Sequence, residues 1–118
     1  MSQSKFKFIL VQGRSLPQIN KSLQYFPVNW KEEFPIIQSL GFTGIEWIYD
    51  KESELTNPIL TKMGRNDMSH FSKKYNVELE NIVFDWFLTH PLLIDDEFSV
   101  EEKLEKFLFL LDASRQSV

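Results

Sequence analysis

The chain has 118 residues, 42% apolar and 14% aromatic, with eleven Phe and three Trp. That is one domain's worth of core-forming sequence, not a disordered segment. A net charge of −4 with no basic block argues against a nucleic-acid partner. With no cysteine, a disulfide framework and a Cys-based zinc site are excluded. The apolar run before Gln12 is too short for a signal-peptide core or a membrane span, so the expectation is a cytoplasmic protein without a membrane partner.

Phe6–Val11 is short, apolar and β-rich, and Gln12-Gly13-Arg14 ends it. It reads as a buried strand. Residues 15–28 hold Pro17 and Pro27 without a helical period and read as a long loop. Asn29, with Glu32 three residues on, resembles a capping box opening a helix. Trp30, Phe34, Ile37 and Leu40 keep helical spacing, Pro35 should bend the first two turns, and Gly41 sits where a helix ends.

Thr43–Tyr49 is the second strand, and it carries one carboxylate, Glu46, in an apolar run. A buried carboxylate is costly unless paired. Residues 50–61 form a polar loop around Asn57-Pro58. A second helix covers about 61–74, with Asn76 as its terminator, and Val77–Phe84 is the third strand. Residues 85–92 are a loop containing Asp85 and His90, and Asp95-Asp96-Glu97 reads as solvated. Ser99 and Glu102 form a capping box for a third helix over 100–113, before a polar tail.

The order βαβαβα predicts an α/β fold: three parallel strands with flanking helices and right-handed crossovers. Helices on both faces would close a small doubly wound sheet. Helices on one face would make an arc of a (β/α) barrel with its other face bare. Apolar residues nearly all round the last helix, from Phe107 to Leu111, predict a further neighbour there.

Several segments, in order, resemble the sugar-phosphate isomerase/epimerase family of xylose-isomerase-like TIM barrels. They are Val11-Gln-Gly-Arg14, Phe26-Pro27 with Asn29-Trp-Lys-Glu-Glu-Phe34, and Leu40-Gly-Phe-Thr-Gly-Ile-Glu-Trp-Ile-Tyr-Asp50. Asn57-Pro-Ile-Leu60, Tyr75-Asn-Val77 and Asp85-Trp-Phe-Leu-Thr-His-Pro-Leu92 continue the series. The resemblance implies that residues 1–118 are a single incomplete barrel segment, three strands of the family's eight. It also implies metal-dependent proton transfer next to a carbonyl, with a divalent ion (Mn, Mg, Zn or Co) as Lewis acid. The family's metal ligands and paired glutamates lie on later strands. The expectation is therefore no catalytic or metal residue here and no activity alone.

What remains is a substrate-side wall at the C-terminal ends of the strands. Period-2 parity places Gln12 and Arg14 with Phe8 and Leu10, Glu46 with Ile48 and Asp50, and Val83 with Asp85. The candidate substrate-binding set is Gln12, Arg14, Glu46, Asp50, Asp85 and His90, and the implied ligand is a sugar or sugar phosphate. Each has a plainer role beside it: Arg14 pairing with Glu46 or Asp85, Asp50 capping a loop, His90 as a loop hydrogen-bonder. His70, beside Lys73 and Lys74, reads as surface, while Trp47 and Tyr49 read as core. Partners would be a missing C-terminal barrel half or a second copy. The rival reading is a non-catalytic binding or assembly module that completes its sheet by oligomerising. An abasic-site phosphodiesterase is a weaker rival, given the acidic charge.

Overall fold

The computed structural model describes residues 6–17, 24–94 and 96–115. The elements are strand β1 (Ile9–Val11), helix α1 (Trp30–Ser39), β2 (Gly44–Ile48), a 3₁₀ turn (Pro58–Leu60), α2 (Lys62–Tyr75), β3 (Glu78–Val83), a single-turn α3 (Trp86–Thr89) and α4 (Val100–Arg115). The α/β fold with three parallel strands is thus present, with the extra turn of α3 at the start of the expected 85–92 loop. No helix among the described residues is long and apolar enough to cross a membrane.

Local signals explain the boundaries. Gly41 (φ +84°) and Asn76 (φ 55°) both take the left-handed conformation that ends a helix, as their residue types predict. Thr61 caps α2 by accepting from Gly64 N, and Ser99 caps α4 by accepting from Glu102 N. Asn29 departs from its expected cap. Its side chain donates to Glu32 Oε2 at 2.9 Å and makes no bond to the backbone of the first turn.

The sheet runs in the order β1-β2-β3, all parallel. Both crossovers advance in the same direction, so right-handed connections put both crossover helices on one face. The contacts agree. Trp47 on β2 packs against Phe26, Trp30 and Phe34, while Phe71 of α2 meets Trp30 and Phe34. Lys106 of α4 lies over the ring of Tyr49, on the same side. Burial of Phe34, Ile37, Ile45, Trp47, Ile59 and Met68 completes this one core.

The opposite face is more open. Ile9 is exposed, Val11, Glu46 and Val83 are half-buried, Asn81 is exposed, and Ile48 is the buried exception. Register corrects the parity expected for the first strand. Leu10 aligns with Ile45 on the helix side, and Val11, not Gln12, aligns with Glu46. On β3 a bulge at Glu80 lets Asn81 align with Glu46 and Val83 with Ile48, so Val83 falls on the expected face.

Candidate functional site

The loops that follow the three strands meet at the C-terminal edge of the sheet, and each is fixed by a different device. After β1, the turn Gly13–Ser15 wraps the carboxylate of Glu33, which projects from the first turn of α1 and is fully buried. Gly13 N donates to both oxygens, at 2.8 and 2.9 Å, and Ser15 donates through its N at 3.2 Å and its Oγ at 2.8 Å. Gly13 has φ +88°, and an added Cβ would lie 2.9 Å from Tyr25 O, so this turn requires glycine. Burial, and then the charge of Glu33, hold the Tyr25 phenol above its ordinary pKa.

After β2, Asp50 is sealed by its own surroundings. Its Oδ2 accepts from Phe26 N at 2.8 Å, and its Oδ1 accepts from Ser53 N at 3.0 Å and Ser53 Oγ at 2.7 Å. The buried amide of Asn57 does the rest, accepting from Trp47 Nε1 and donating to Ile48 O. Tyr49 donates to Glu54 O. Burial, then the charges of Glu54 and Asp50, push its phenol well above the ordinary range.

After β3, Trp86 donates to Glu54 Oε2 at 2.7 Å and stacks on the ring of His90, with centroids 4.2 Å apart. His90 is buried, with Nε2 3.0 Å from Glu97 Oε1. The buried ammonium of Lys103 donates to Pro91 O and Ile94 O at 2.6 Å each and pairs with Asp96 at 3.1 Å. Asp96 and Glu97 are exposed, as expected of solvated acids, and they also anchor the loop through Lys103 and His90. Asp95 lies outside the described residues. The N–H of Phe98, then Lys103, hold the Asp96 carboxyl below its ordinary pKa.

Set against the six expected residues, the geometry separates two groups. Arg14 and Asp85 are brought together through Gln24. Its Oε1 accepts from Arg14 Nη2 at 3.4 Å, and its Nε2 donates to Asp85 Oδ2 at 2.6 Å. Gln12 stands at the same edge, fully buried, with Oε1 accepting from Ile48 N at 2.8 Å and Nε2 buried without a hydrogen-bond partner. An unmet buried donor costs about 1–3 kcal/mol. Glu46 is half-buried on the open face and accepts from Asn81 Nδ2 at 3.3 Å, not from Arg14. Asp50 is spent on its loop, and His90 is held in the Trp86–Glu97 cluster. These two do not join the Arg14–Asp85 pair.

Gln24, Glu33, Asn81 and Lys103 were not singled out from sequence. Two had a readable signal. Glu33 lies three residues from Trp30 and four from Ile37, on the apolar stripe of its helix. Lys103 stands four and seven residues before Phe107 and Leu110, again on the core side. A separate cleft of about 130 Å³ is lined by Phe26, Val28, Trp30, Glu52, Ser53 and Thr56, none of them among the six.

The donor set does not suit a divalent ion. The oxygens of Glu33 and Asp50 are already taken by chain donors, and no cluster of three or more His, Asp or Glu with metal-holding geometry occurs among the described residues. Compared with known proteins, the chain matches no family model and no curated protein.

Proposed function

We propose that this chain is the substrate-side segment of a (β/α) barrel of the sugar-phosphate isomerase/epimerase type, binding a small polyhydroxy ligand at the strand ends without catalysing its isomerisation alone. The observation that carries the reading is the sheet itself. Three strands in sequential parallel order, helices gathered on one face, and Arg14 and Asp85 linked at the C-terminal edge are the layout from which such barrels build a binding mouth. Arg14 and Asp85 bind the ligand, while Gln12 and Glu46 line the adjoining edge and open face. Asp50 and His90 hold the loops in shape. The missing roles, a metal and a pair of proton-moving carboxylates, belong to other strands of such a barrel. The test is turnover: the purified chain with added Mn²⁺ should show no epimerisation of ketoses or their phosphates, and robust turnover would overturn the reading.

A second reading is favoured by the exposed apolar surface. Ile9 on the open sheet face is exposed, as are Leu104, Leu108 and Leu111, which recur at helical spacing along α4. In that reading the chain is an assembly module that covers these surfaces with a second copy. Sedimentation velocity separates the two, because a monomer that unfolds cooperatively argues against an assembly module.

A further inference from the structure

The cleft of about 130 Å³ beside the start of α1 takes no part in the strand-end site. Two stretches of chain line it, Phe26, Val28 and Trp30 from one and Glu52, Ser53 and Thr56 from the other. Asp50 ties the two together. Its Oδ2 accepts from Phe26 N, and its Oδ1 accepts from Ser53 N and Ser53 Oγ. The rings of Phe26 and Trp30 are buried against Trp47, with centroids 5.6 and 5.4 Å away. The cleft is therefore preformed, and filling it orders little new chain. Val28, Glu52 and Thr56 are exposed and leave it open to solvent.

Size limits the occupant. A cavity of about 150 Å³ takes up benzene, so this one suits a group of about five heavy atoms. Charge selects its sign. Among the six lining residues Glu52 is the one charged side chain, and it is an acid. An anion placed here would face it. Trp30 already carries one cation: Lys31 Nζ is 5.5 Å from its ring centroid, with Asp67 3.9 Å from that ammonium. The positive end of α1 is offset by Glu32 and Glu33 in its first turn.

Hydrogen bonding selects the kind of cation. Ser53 Oγ is committed, donating to Asp50 Oδ1 at 2.7 Å and accepting from Asn57 Nδ2 at 3.2 Å. Of the lining side chains, that leaves Glu52 and Thr56 as acceptors. A primary ammonium brings three N–H donors. A trimethylammonium group brings none, spreads its charge over its methyls, and is the kind of cation that aromatic walls recognise.

We propose that this cleft binds a trimethylammonium group, with Phe26, Val28 and Trp30 packed on its methyls and Glu52 balancing its charge. The group can arrive on a free small molecule or on a trimethylated lysine side chain.

The test is an NMR titration of the whole chain at low salt. The probes are choline, neohexyl alcohol (its uncharged isostere, with carbon in place of nitrogen), methylammonium, and a short neutral peptide carrying trimethyl-lysine. Choline should move the Trp30 indole and Val28 methyl signals and bind about fivefold more tightly than the alcohol or methylammonium. Glu52 is exposed, so Glu52→Gln should fold normally and shrink that preference to about twofold. A trimethyl-lysine peptide that binds more tightly than choline assigns the group to a protein partner; equal or weaker binding assigns it to a free small molecule. Both outcomes support a trimethylammonium site. Equal binding of choline and the alcohol, a preference unchanged in Glu52→Gln, or no choline shift at Trp30 and Val28 overturns it, and each leaves the strand-end reading untouched.

Discussion

The loop after β1 and the loop after β3 solve the same problem with opposite charges. In the first, backbone and hydroxyl donors of Gly13 and Ser15 close on a buried carboxylate, Glu33. In the second, the carbonyls of Pro91 and Ile94, with Asp96, close on a buried ammonium, Lys103. Each charge projects from the inward side of a helix. Each takes up several polar groups that irregular backbone cannot pair within a sheet or helix. The difference lies in solvent access. Glu33 and Gly13 are both buried, whereas Asp96 is exposed and the 91–94 turn is only partly covered. One charge seals an interior joint, and the other pins a loop that water can still reach.

That difference sets the order of the mutational effects. Glu33→Ala strands the N–H of Gly13 in a buried site and frees Ser15, so it should destabilise the chain by about 4 kcal/mol in urea unfolding. Glu33→Gln keeps one acceptor oxygen and should cost about 2 kcal/mol. Hydrogen exchange adds a local check: the Gly13 and Ser15 amides should lose protection in Glu33→Gln, while the sheet amides of Ile45 and Trp47 keep theirs. Equal loss at all four positions would mean that Glu33 stabilises the whole domain without fixing this turn in particular.

Lys103→Met should cost less, about 3 kcal/mol by the same unfolding measurement, because water can partly replace the ammonium at Pro91 O and Ile94 O. Its methylenes already lie in the core, and Met preserves that packing. Should Lys103→Met prove more damaging than Glu33→Ala, solvent access is not what separates the two loops.

Neither anchor stands out as a charge of special standing in the sequence. Among Glu32, Glu33 and Lys31, nothing but phase marks Glu33 as the one that turns inward. The same holds for Lys103 among Glu101, Glu102 and Glu105. The fold was more legible because it depends on patterns many residues long. Apolar runs and helical stripes marked three strands and three main helices, and Gly41 and Asn76 the stops of the first two helices, but the first strand, expected buried over Phe6–Val11, spans only Ile9–Val11 and leaves Phe6, Phe8 and Ile9 exposed. The site was legible only in part. Arg14 and Asp85, both expected at strand ends, are linked only through Gln24, from a loop with no periodic signal. Parity failed on the first strand because β1 has only three residues and Gln12 already lies beyond it, bonding to Ile48 N through its side chain. His90 was expected at the mouth from its place in the loop. The stack on Trp86 depends on the single turn of α3, which spans four residues and has no repeat to reveal it.

The smallest effect concerns the pH dependence of the second loop. Asp96 is held below its ordinary pKa by the Phe98 N–H and then by Lys103. A carboxyl whose folded value is depressed adds stability above its unfolded value, near 4, and loses that contribution as pH falls through the folded value. Asp96→Asn keeps an acceptor oxygen for Phe98 but removes the charge. Wild type should therefore melt higher than Asp96→Asn by a constant margin above about pH 5, and the two curves should converge as pH drops below about 4. The exposure of Asp96 keeps the margin small, and added salt should shrink it further. A margin that persists unchanged at the lowest pH would assign the stabilisation to hydrogen bonding, with no share for the Asp96 charge. The contrast between a sealed anchor and a solvent-reached one would then rest on Glu33 and Lys103 alone.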